Sequence, residues 1–104
     1  MASFQESVEV PYGPVQAVQV VREALIESGL PITIKTTDPA SGHIEGTVGV
    51  SAVSWSEEVS IDVAPGSKPG SSVVSVKSRS WQLIDWGKNR GNVETIVARI
   101  RGRP

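Results

Sequence analysis

Few side chains in this sequence could do chemistry, and they do not assemble into a known catalytic pattern. His43 is the sole histidine and there is no cysteine. A thiol nucleophile, a disulfide and a thiolate metal site are therefore excluded. A metal centre needs three or four convergent ligands. On its face of an alternating segment, His43 has only Glu45 and Thr47 as neighbours, so it is read as a surface residue. Glu57 and Glu58 are adjacent on an extended segment, point to opposite faces and cannot work as a paired acid and base. Glu57 shares the face of Trp55, Val59 and Ile61, where a carboxylate must find a partner or sit at the sheet's rim. The rim is the expected place and a buried carboxylate the alternative. Serine is plentiful, but no Gly-x-Ser-x-Gly is present and no second histidine could activate one. Gly-x-Gly-x-x-Gly and Gly-x-x-x-x-Gly-Lys-Ser are also absent. These readings point away from a hydrolase, a kinase or a dinucleotide enzyme. No catalytic residue, metal or cofactor is expected.

The last third is where binding residues gather. Val74, Val76, Ser78 and Ser80 share one strand face, which turns from apolar to hydroxylated at its far end. Polar groups beside apolar wall are what a ligand pocket uses for orientation. Trp81 and Trp86 follow, and then Asn89 and Arg90 in the first turns of a helix. A cation near the positive end of a helix dipole favours an anionic head group. The candidate binding residues are Ser78, Ser80, Trp81, Trp86, Asn89 and Arg90. Gly87 and Gly91, four apart, share a helical face. Each costs about 1 kcal/mol relative to alanine inside a helix, which suggests close backbone approach to the sheet or a ligand.

Periodicity supplies the elements that must position these residues. Alternation predicts strands near 3–10, 32–37, 43–50, 55–63 and 72–81. Pro14 suits a first helical turn, and Ala17, Val18, Val21, Ala24 and Leu25 make an apolar stripe, so a helix is expected over 14–28. Gly29 and Pro31 end it. A second helix is expected over 86–100, with Asp85 as N-cap and Asn89, Val93, Ile96, Val97 and Ile100 facing inward. The order is β-α-β-β-β-β-α. Short links between the last four strands and their one-sided apolar pattern predict an α+β domain: a five-stranded antiparallel sheet with both helices packed on one face. The buried face should hold Val8, Ile34, Val48, Ile61 and Val76. Residues 1–104 form a single domain, with 101–104 frayed.

Net charge is −1 over 104 residues, but residues 1–76 carry −6 and residues 77–104 carry +5. Internal pairing of that basic end with the acidic body is the first reading. With 38% hydrophobic and 20% charged residues, the chain reads as an ordinary globular protein. No apolar run approaches the roughly 18 residues of a membrane span, and no leader is visible, so a cytoplasmic location is expected. The expected partner is a small apolar or amphiphilic ligand, held between the sheet and the C-terminal helix, or a protein. A nucleic acid, contacted through Arg79, Trp81, Trp86, Lys88 and Arg90, is disfavoured by a pI near 5.8.

Lys77-Ser78-Arg79-Ser80 followed by Asp85-Trp86-Gly87-Lys88-Asn89-Arg90 resembles the bacterial domain-of-unknown-function family 1499. That family ends in an alternating strand, a Ser-Arg stretch and Asp-x-Gly-x-Asn-Arg opening a last helix. The resemblance implies a fold and no catalytic residue. The topology is also similar to helix-grip ligand-binding domains, whose curved sheet holds a long C-terminal helix.

Overall fold

The computed structural model describes residues 2–49, 57–80 and 87–102. Five strands and two helices follow in the predicted order: β1 (Ala2–Val10), α1 (Pro14–Glu27), β2 (Ile32–Asp38), β3 (His43–Val48), β4 (Glu57–Pro65), β5 (Ser72–Ser80) and α2 (Lys88–Arg101). The sheet is antiparallel throughout, in the order β1-β5-β4-β3-β2. Strands β2 to β5 form a meander, and β1 closes it by pairing with β5, Ala2 opposite Ser80 and Val10 opposite Ser72.

Both helices lie on one face. Beneath them Ile44, Val48, Val59, Ile61, Val63, Val74 and Val76 are buried, while Val8 and Ile34 complete the edges half-buried. Helix α1 buries the predicted stripe plus Val20. Helix α2 buries the predicted stripe plus Asn92. The period-2 and period-3.6 patterns therefore meet in one core.

Local chemistry fixes the joints. Ser28 ends α1: its hydroxyl donates to the Leu25 carbonyl (2.8 Å) and accepts from Leu30 N–H (3.2 Å), and Gly29 follows at φ +80°. Arg99 donates to the Glu27 carbonyl from Nε (3.1 Å) and Nη2 (2.7 Å), tying α2 to the open end of α1. The buried Ser72 hydroxyl donates to the Tyr12 carbonyl (2.7 Å), which pins the turn into α1. Strand β2 carries a bulge between Ile34 and Thr36, opposite Gly46. A Cβ on Gly46 would lie 2.7 Å from the Thr33 carbonyl oxygen, so glycine is what lets the bulged strand approach.

Three expectations at α2 are corrected. Its N-cap is Gly87, in the left-handed conformation (φ +80°), and the helix starts at Lys88, after Asp85 and two residues later than predicted. Gly87 thus serves its backbone angle. Gly91 is exposed, and an added Cβ would meet nothing within 4 Å, so close backbone approach does not explain it. Arg101 is still helical.

Candidate functional site

At the end of the sheet where β5 finishes, its inner face changes from valine to serine. Ser78 and Ser80 are buried there, as the strand's alternation requires. Glu57 begins β4 on the same face. Its neighbour Glu58 pairs with Arg79, and Val59, two residues on along the same face, pairs with Ser78. Helix α2 crosses above and supplies Asn89 and Asn92, three apart and on one side. Five polar side chains are therefore enclosed by β1, β4, β5 and α2.

They form one connected network. Asn92 Nδ2 donates to Glu57 Oε1 (3.0 Å) and to Ser78 Oγ (3.3 Å). Ser78 Oγ donates to Asn89 Oδ1 (2.8 Å). Asn89 Nδ2 donates to the Ala2 carbonyl (3.1 Å) and to Ser80 Oγ (3.3 Å). The carboxylate at one end and the backbone carbonyl at the other accept only, so they fix both amide orientations and the sense of the chain. Asn89 is fully buried, and Glu57 and Asn92 are each 6% exposed. Glu57 was expected at the rim. Instead it is buried, because α2 brings Asn92 to it from 35 residues along the chain. The sequence held the signal in its alternation with Val59 and Ile61, but the partner lay in another element. Asn92 escaped the sequence reading altogether because it is polar and sits on the flank of the apolar stripe.

Of the six predicted residues, the structure brings together Ser78, Ser80 and Asn89. Trp81 and Trp86 lie outside the described residues, as does Trp55. Arg90 is corrected. It is exposed, paired with Glu94 (3.0 Å), and its guanidinium sits 5.4 Å from the centre of the Phe4 ring. It therefore lies on the outer side of α2 and offers no anion site to the network.

The other face of the sheet is polar. Arg79 pairs with Glu58 (2.7 Å). His43 is held between Asp62 (Nδ1, 2.8 Å) and Glu45 (Nε2, 2.9 Å). Hydrogen bonds first to Asp62 and then to Glu45 raise its pKa above the usual 6.5. Asp62 is its cross-strand partner in the β3–β4 register, a contact that spacing along the chain does not reveal. A depression of about 170 Å³ lies on this face, lined by Lys35, Glu45, Thr47, Glu58, Ser60 and Arg79 among others. It touches none of the predicted binding residues.

A scan against protein-family models finds no match, and a search of curated proteins finds none. Solved structures do match. The chain is similar to the protein XoxI from Bacillus cereus, with a TM-score of 0.70 and 12% identity over 96% of this chain and 93% of that one. It is similar to a START superfamily protein from Mycobacterium smegmatis, with a TM-score of 0.54 and 11% identity over 95% and 93%. The fold is START-like. It also matches the di-domain ARO/CYC BexL from the BE-7585A biosynthetic pathway, with a TM-score of 0.70 and 14% identity; 96% of this chain covers 45% of that one. At these identities the likeness shows a shared fold and nothing about residues or activities.

Proposed function

We propose that the chain is a non-enzymatic START-like domain that binds a small apolar or amphiphilic ligand between the sheet and α2. The polar end of the site is formed by Glu57, Ser78, Ser80, Asn89 and Asn92. The observation that carries this reading is the buried hydrogen-bond network containing a carboxylate. Packing alone would favour apolar residues there, since a buried polar cluster rarely adds stability over a hydrophobic one of similar volume. Pockets for small molecules combine an apolar wall with a few convergent polar groups. Val59, Val76 and Val93 supply buried apolar surface from the same elements. The matches to a START superfamily protein and to BexL support the same reading at the level of fold. Membership of domain-of-unknown-function family 1499 is part of the proposal.

The depression on the open face supports a ligand less well. Its volume of about 170 Å³ falls below the ~300 Å³ at which ligand pockets begin. Arg79 and Glu58 already satisfy each other there. The nucleic-acid alternative loses support from the same pairings, because Arg79, Arg90 and Arg99 are each engaged within the domain.

The test is a titration of fatty acids, other amphiphiles and short oligonucleotides followed by backbone amide shifts. Saturable changes centred on Glu57, Ser78, Ser80, Asn89 and Asn92 support the reading. Saturable changes centred instead on the hairpin around His43, or a response to oligonucleotides alone, overturn it.

A further inference from the structure

The sense of the hydrogen-bond network says what it leaves unused. Asn92 spends both N–H groups, on Glu57 and on Ser78. Ser78 then passes its proton to Asn89, and Asn89 spends both N–H groups, on Ala2 and Ser80. What remains at the Glu57 end is acceptor capacity. Glu57 Oε2 and Asn92 Oδ1 take no hydrogen bond among the described residues. No fully buried side-chain nitrogen or oxygen among the described residues lacks a partner. Both of these oxygens therefore border accessible space.

Charge points the same way. Glu57 forms no ion pair among the described residues. The two segments that join the site in sequence, residues 50–56 before Glu57 and 81–86 after Ser80, contain no lysine, arginine or histidine. A carboxylate 94% removed from water is costly unless it is paired and hydrogen-bonded. Asn92 supplies the hydrogen bond, and no cation among the described residues pairs with Glu57.

From this we infer that the ligand bound at this site carries a positively charged, hydrogen-bond-donating head, such as a primary ammonium, which Glu57 Oε2 and Asn92 Oδ1 receive while the apolar remainder lies against the valines. The inference rests on the ligand-binding reading above. It reverses the sign of head group that Arg90 suggested in the sequence.

Decylammonium, decanoate and decanol share one chain length and differ in the head, so they separate the two ideas. The expected result is that decylammonium binds about tenfold or more tightly than decanol, the size of a hydrogen bond to a charged group. Its shifts should centre on Glu57 and Asn92. Decanoate should bind weakest. Glu57→Gln keeps an oxygen for Asn92 and removes the charge; it should erase the preference for decylammonium over decanol. Decanoate binding at this site as tightly as decylammonium overturns the inference and leaves ligand binding standing. Absence of any saturable response to all three overturns both. The ranking is measured on the unaltered protein, so it decides the matter even where Glu57→Gln fails to fold.

Discussion

Asn89→Ala should be among the most damaging single substitutions in this domain, although it removes no apolar surface. Its amide joins three elements: α2, which carries it, β5 through Ser78 and Ser80, and β1 through the Ala2 carbonyl. Each bond contributes about 1 kcal/mol net, and a buried group left without its partner costs about 1–3 kcal/mol. Alanine recovers about half a kcal/mol through helix propensity. The balance is a loss of about 3 kcal/mol, against a total stability on the order of 5–15 kcal/mol for a domain of this class. Guanidinium unfolding should show a lower midpoint with an unchanged slope. The thermal midpoint should fall by about 10 °C or more. Ser78→Ala breaks the same chain one link away, so the double variant should lose less than the sum of the two singles. A loss below about 1 kcal/mol for Asn89→Ala, or strict additivity with Ser78→Ala, would refute the claim that these bonds act as one unit.

Two further outcomes concern residues whose roles the structure separates. Gly91→Ala should stabilise the protein by about 1 kcal/mol, because the site is helical, exposed and open to a Cβ; Gly87→Ala should destabilise it by about as much, because φ there is +80°. Paired thermal melts check both, and a lower midpoint for Gly91→Ala would show that its missing side chain matters for packing. His43 should titrate above 6.5 in an NMR titration of its ring protons, and Asp62→Asn should bring it back down. Since its folded pKa is the raised one, the stability it adds is fully present below pH 6.5 and is lost as pH rises through the folded value. A ring titrating at or below 6.5 contradicts the double hydrogen bond.

Alternation and helical spacing made the architecture legible because each strand has one wet face and each helix one dry stripe. Val59, Ile61, Val74 and Val76 identified the inner face without any knowledge of pairing. The site was legible only in part. Ser78, Ser80 and Asn89 could be placed because they continue an apolar face into polar residues. Glu57, Asn92 and the His43–Asp62 contact could not, because each is completed by a residue on another element, and one-dimensional periodicity carries no register. Gly87 and Gly91 looked alike in sequence and differ in cause: one serves a backbone angle, while nothing in the structure explains the other.

The placement of β1 beside β5 also governs when the domain can exist at all. Ala2 reaches its partner only at Ser80, and the polar end of the site needs Asn92 as well. A chain emerging from the ribosome can form the hairpins from β2 to β5 as it grows, whereas β1 must wait, with Phe4, Val8 and Val10 uncovered, until β5 has also emerged. The largest loop closure is thus also the last, which favours slow, late folding over stepwise assembly. Through that interval β1 is an apolar-faced strand open to pairing with other chains. The polar residues that alternate along it (Ser3, Gln5, Ser7 and Glu9) leave such a mispaired partner only one apolar face to bury.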